Sequence, residues 1–253
     1  MEGNAPTPII PSSSAEDPKE QASSVASVLG AATSEIVQSF KPMGGICEAF
    51  CGLHVYPDDH RRQIIAFHYC HAIDEDRRQC LIYDRDDKNA KLLRVEYIIS
   101  EKLFQGLDDD EKKYWHSHKY EVESGLLVQV TKSFVPESVA NSAEKGPLKI
   151  PVNTYGKTFQ FWPVDEKGEC SSLVPTGPPQ LLVALTKDSQ VDLDLLAKRD
   201  RMLGISTLEK RHAREGEIQG HPVAEGADQW THGKPWQIYD RGQEGALSFH
   251  PQK

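Results

Sequence analysis

Between Ile64 and Ser100 the chain alternates strand-like runs with short polar turns, and this most limits the folds open to it. Ile64–Ile73 is rich in aromatic and β-branched residues. Asp74-Glu75-Asp76 follows as a polar turn, Gln79–Tyr83 as a second run, Asp84–Asn89 as a charged turn and Lys91–Ser100 (KLLRVEYIIS) as a third run. Connections this short join neighbouring strands as hairpins, so the runs predict an antiparallel meander. Helical spacing elsewhere makes the expected class α+β: an antiparallel β-sheet meander packed with a few helices. A disordered N-terminal arm precedes it and a loop-rich C-terminal tail follows.

The flanking elements fill in this plan. Glu101–Trp115 places Leu103, Phe104 and Leu107 on one helical side, and Asp108-Asp109-Asp110-Glu111 breaks it in two. His116–Val130 reads as a further strand with Gly125 near its middle, and Val135–Glu144 as a short helix. Tyr155–Pro163 and Pro179–Thr186 read as strands, and Asp192–Leu203 as a helix closed by Gly204. The core domain is expected over residues 42–215. In the tail, 216–253, glycine and proline recur, with Trp230, Trp236, Tyr239 and Phe249 as anchors. Residues 1–22 are rich in Pro, Ser, Ala and Glu and bury too little to offset their ordering entropy.

Residues 23–41 differ. Val25, Val28, Leu29, Ile36 and Phe40 share one helical face, and Glu35 is the only charge before Lys41. Two uses of such a helix stay open: docking on the domain, or adsorption to a lipid surface through apolar burial. Burying the five side chains at about 1.5–3 kcal/mol each gives roughly 8–15 kcal/mol before entropy and partial-immersion losses. The near absence of charge predicts a weak salt dependence.

Composition narrows the partners. With 29 Lys and Arg against 38 Asp and Glu, the chain carries a formal charge of −9 and is a poor partner for nucleic acid. Mean hydropathy is −0.54, and no run of 18 apolar residues predicts a transmembrane span. The first residues have neither the basic and apolar regions of a secretory signal nor the Arg-rich character of a mitochondrial presequence. Five cysteines, an odd number, are expected as reduced thiols.

Complete catalytic motifs are missing. There is no G-x-S-x-G, H-E-x-x-H or G-x-G-x-x-G. Gly156-Lys157-Thr158 spells the end of a phosphate loop, but Pro151 stands where its first glycine belongs. The hairpin starting at Asp84 has Asn89 and Val95 where a calcium loop needs Gly and Glu. The histidines are more suggestive. His54, His60, His68 and His71 lie close in sequence to Cys47, Cys51, Cys70 and Cys80, and His116 and His118 form an H-x-H pair. On a strand that pair shares a face, as do His68 and Cys70, while His71 points the other way. Imidazole suits zinc or another borderline divalent metal, so His68, His116 and His118 are the candidate ligands. Glu121 and Glu123 are their nearest carboxylates. The alternatives are satisfied core residues, or histidines at a helix end. No third residue marks a Cys–His catalytic pair.

The runs FHYCHAI, RQCLIYD, VEYIIS and WHSHKYEV occur in order between Phe67 and Val122. With Tyr155-Gly156-Lys157-Thr158 and Gly177-Pro178-Pro179-Gln180, they resemble the plant oil body-associated protein family. That family belongs to a wider domain family of unknown function also found in bacteria and fungi. The resemblance spans roughly residues 42–215. It implies a soluble, cytoplasmic protein without a long hydrophobic hairpin, non-enzymatic, held at the surface of seed oil bodies (lipid droplets) or by their coat proteins, and contributing to their stability. No cofactor is expected, a divalent metal at the histidine cluster being the one candidate. The alternative is a metal-binding enzyme of unknown substrate built on the histidine cluster. Many relatives carry a His in the strand after the Gly-Lys-Thr run, where this chain has Gln160, so a metal role that used that His would be altered here.

Overall fold

The computed structural model describes residues 38–232, 237 and 238. The chain divides into a segment ending at Gly44 and a body that begins at Gly45. Of the first, the Met43 and Gly44 amides close a turn on the Phe40 carbonyl, and Phe40 is half exposed. Val25, Val28, Leu29 and Ile36, the arm 1–22, and the tail anchors Trp236, Tyr239 and Phe249 lie outside the described residues. The described end of the expected helix, Gln38–Lys41, is not helical.

Eight strands are described in the body: β1 (Glu48–Tyr56), β2 (Asp59–Ala72), β3 (Arg77–Tyr83), β4 (Leu92–Ser100), β5 (His116–Ser117), β6 (Val128–Gln129), β7 (Thr154–Gln160) and β8 (Gln180–Ala184). The expected meander is present as β2–β3–β4, but it does not stay open. The sheet runs β2-β3-β4-β7-β8-β1, every pair antiparallel, and β1 also pairs with β2 from Glu48↔Cys70 to His54↔Ile64. The result is a closed six-stranded barrel. Closure gives each of the six strands a partner on both sides and lets β1 bury both its faces. β1 is not expected from sequence, because a strand buried on both sides shows no alternation.

Six α-helices are described: α1 (Glu101–Gln105), α2 (Asp109–Lys112), α3 (Lys119–Glu123), α4 (Glu137–Leu148), α5 (Leu193–Leu203) and α6 (Thr207–Arg214). The break between α1 and α2 falls at Asp108, the N-cap of α2. Gly204 ends α5 at φ 65°, as expected of a left-handed cap. The expected continuous strand His116–Val130 is not formed. It is β5, then α3, then β6. Gly125 sits at φ 82°, outside strand geometry, and the Leu127 amide turns back to the Glu121 carbonyl at 2.8 Å.

This broken segment completes the barrel wall. β8 bonds β7 only at Thr158–Gln160 and β1 only at His54–Val55. Where β8 ends, β5 bonds β7 at Tyr155–Gly156 and β6 bonds β1 at Phe50–Cys51. The turn of α3 between them enters the wall and carries its residues toward the interior.

Strand alternation sorts the core into two faces. Cys51, Leu53, Val55, Ile65 and Phe67 pack outward beneath Leu195 of α5 and Trp230 of the tail. Phe50, Ala66, Cys70, Cys80 and Ile82 pack inward with Val122 of α3. The expectation of five reduced thiols is corrected: Cys70 and Cys80 are direct cross-strand partners and form a disulfide. That expectation rested on compartment, whereas register brings the two sulfurs together. Cys47, Cys51 and Cys170 are free.

Candidate functional site

A polar layer interrupts the barrel interior. Its centre is Glu96 on β4, fully buried and paired in register with Cys80 on one side and Thr158 on the other. The inward positions of β1, β2 and β7 supply His54, His68 and Thr158, and the β5–α3 segment supplies His116, His118 and Glu121.

Distances place four imidazoles around one carboxylate. His116 Nε2 lies 3.1 Å and His118 Nε2 3.6 Å from Glu96 Oε1. His68 Nε2 lies 3.4 Å from Oε2. The His54 ring stands edge-on to those of His68 and His116, at 4.9 and 5.7 Å between centroids. The Thr158 hydroxyl donates to Glu96 Oε1 at 2.8 Å.

The tautomers follow from the outer partners. The Ala66 carbonyl only accepts, so the proton of neutral His68 sits on Nδ1, 3.1 Å away. The Thr154 hydroxyl donates to the Pro151 carbonyl, so it accepts from His118 Nδ1 at 2.8 Å. Both neutral rings therefore turn a bare Nε2 toward the carboxylate. Acceptor faces acceptor until a proton or a cation stands between them.

Burial and charge oppose each other here. Burial pushes His68 down to about 4 against the pull of Glu96, and holds His54 well below its usual value. For His118 burial is overcome by contact with Glu96 and by the charge of Glu121, and its pKa rises. Burial also opposes ionisation of Glu96, but contact with His116 and His118 prevails and holds it well below the usual carboxylate range. Glu121 lacks such contacts, and burial pushes it up to about 8.

Room is left at the centre. A methyl carbon built on Gly156 would lie 2.6 Å from His118 Nε2, 2.7 Å from His116 Nε2 and closer still to Glu96 Oε1. Only glycine leaves that volume open. Beside it, His68, Glu96, His118 and Glu121 line a cavity of about 20 Å³, enough for a single water.

Of the sequence-predicted ligands, the structure brings His68, His116 and His118 to one carboxylate. The geometry differs from the expected one: His116 lies on β5, but His118 is the N-cap of α3, so the pair does not share a strand face. Glu123 is outside the cluster, accepting from the Gly220 amide at 2.9 Å. His60 packs on Trp230 and His71 on Gly45. Sequence reading missed Glu96, because in VEYIIS it looks like a solvated strand position. It also missed His54 as a participant, because β1 was not expected. The inward parity of Glu96 with Ile98 and Arg94 was the available signal. Cys51 faces the outer core and is no part of the site. Gln160 is buried, with its Oε1 unpartnered, two positions beyond Thr158.

Comparison with known proteins agrees with the sequence. The chain is 39% identical over 213 residues to oil body-associated protein 1B of Arabidopsis thaliana, covering 83% of each chain. It is 39% identical over 192 residues to oil body-associated protein 1A of Zea mays, covering 74% of this chain and 76% of that one. To oil body-associated protein 2A of Arabidopsis thaliana it is 36% identical over 199 residues, 78% of this chain and 76% of the relative. No solved structure matches it. Residues 40–218 match the family model described as "Protein of unknown function (DUF1264)", and the chain belongs to that family.

Proposed function

We propose that this chain is an oil body-associated protein that works at the lipid-droplet surface, on its cytoplasmic side, and contributes to droplet stability without an enzymatic step. The observation that carries the reading is the likeness to relatives of that name across 83% of both chains in the first case above. No helix among the described residues is long and apolar enough to cross a membrane, which suits attachment from one side. The contact residues on this reading are Val25, Val28, Leu29, Ile36 and Phe40, the last half exposed. Their partner is the phospholipid monolayer or the droplet's coat proteins.

Flotation of purified protein with phospholipid-coated triacylglycerol droplets tests this. The full chain is expected to float, with little change between low and high salt, and a chain lacking residues 1–41 to stay in the aqueous layer. Unchanged flotation of the truncated chain would move the contact elsewhere. Failure of the full chain to float on coated droplets, bare or bearing natural coat proteins, would end the reading.

The buried Glu96–histidine layer favours a second reading, a metal-binding enzyme of unknown substrate. A sheet that only coated a droplet has no use for four imidazoles around one buried carboxylate. Metal content of the purified chain tests it.

A further inference from the structure

We propose that His54, His116 and Glu96 hold one divalent first-row transition metal, zinc or iron(II), inside the barrel, with the remaining coordination positions left to water. The proposal rests on the second reading above and names its ligands.

Convergence is the first ground. One donor atom from each of the three residues lies within 4.8 Å of the others, and all three side chains are buried. They come from β1, β5 and β4, elements far apart in sequence. Bonds of about 2.0–2.2 Å put neighbouring donors of a tetrahedral zinc site roughly 3.3 Å apart. His116 Nε2 and Glu96 Oε1, 3.1 Å apart, already have that spacing.

The second ground is independent of distance. His54 Nδ1 and both ring nitrogens of His116 are buried without a hydrogen-bond partner. The His116–Glu96 approach is close but not aligned as a hydrogen bond. A buried ring nitrogen that nothing satisfies destabilises the fold, so each of these asks for a partner. His68 and His118, by contrast, anchor their Nδ1 atoms on Ala66 and Thr154. His54 and His116 are the rings of the layer whose Nδ1 nothing anchors, and they are the ones that converge with Glu96.

Space and outer support complete the site. Gly156, the cross-strand partner of His116, leaves open the volume next to His116 and Glu96. Thr158 fixes the carboxylate by donating to Oε1. His68, His118 and Glu121, the last with an unpartnered Oε2, line the single-water cavity. A metal-bound water only donates, and His68, whose Nδ1 proton is held by the Ala66 carbonyl, offers that cavity an accepting Nε2. Two imidazoles and one carboxylate with open positions are shared by zinc hydrolases and non-haem iron(II) enzymes, so the two metals are arms of one test.

The test uses the full-length chain without an affinity tag. It is stripped with a chelator and reloaded separately with ZnCl₂, CoCl₂ or, under anaerobic conditions, FeSO₄. Metal is counted after gel filtration. About one ion per chain is expected, with a melting temperature that rises with free metal. His116→Ala and Glu96→Gln should each weaken binding by at least about 100-fold, while His212→Ala, at an exposed position on α6, should leave it unchanged. Competition between zinc and iron(II) identifies the preferred metal. X-ray absorption on the wild-type zinc form needs no variant, so a variant that fails to fold does not stop the test. Two imidazoles with oxygen donors support the assignment, and three or more imidazoles overturn it. Metal retained in folded His116→Ala but lost in His68→Ala would leave the metal reading standing and overturn these ligands. No binding of any of the three metals would end both.

Discussion

At the residue scale, one buried carboxylate organises the interior. Glu96 remains ionised in an apolar barrel because His116, His118 and the Thr158 hydroxyl face it. Gly156 makes that arrangement possible, since any side chain there would occupy the space between the donors. The thiols show the opposite effect of burial. Cys51, on the outward face of β1, is pushed up to about 12 by desolvation, against the lowering influence of Arg199. A thiolate is the reactive species, so Cys51 should resist alkylation at pH 8 in the folded protein, while exposed Cys47 reacts. Without reductant, denatured protein should yield three modified cysteines, with Cys70 and Cys80 modified only after reduction. Mass spectrometry reads both results, and five modified cysteines without reductant would contradict the disulfide.

At the element scale, local signals and tertiary demands part company at α3. α5 obeys its local signals. Asp192 caps it by accepting from the Asp194 and Leu195 amides, each at 3.0 Å, and Gly204 ends it. Asp192→Ala should cost about 1 kcal/mol and lower the melting temperature by roughly 2–4 °C, read by thermal unfolding. An unchanged melt would mean that packing of Leu195 alone holds the helix. The segment His116–Val130 has strand-like residues and forms a strand only at its two ends. Its middle becomes helix because the wall gap left by β8 is filled by one turn of α3, with Val122 inward. Nothing within the segment announces that gap. Gly125 is the one local hint, since a Cβ there would lie 2.6 Å from the Thr207 carbonyl.

At the scale of the whole molecule, buried ion pairs tie the helices to the barrel. Glu144 of α4 pairs with Arg214 at 2.8 Å and Lys210 at 3.2 Å, both on α6. Arg214 also donates to the Val122 carbonyl within the turn that fills the wall and to the Leu127 carbonyl just beyond it. Glu144→Ala would strand two buried cations and should cost about 3–5 kcal/mol in urea unfolding. A loss under about 1 kcal/mol would mean that these cations find water instead. Such long-range pairs are invisible in sequence, where Glu144 reads as a solvated helix residue. The sequence by itself determined the antiparallel meander, the break between α1 and α2, the limits of α5 and the strand face shared by His68 and Cys70. Each follows from periodicity or turn chemistry within a few residues. Only the tertiary structure decided barrel closure, the helical turn in the wall, the disulfide and the meeting of His54, Glu96 and His116. Those depend on strand register and on which strand pairs with which, and pairing energy is gained only between segments that lie far apart along the chain.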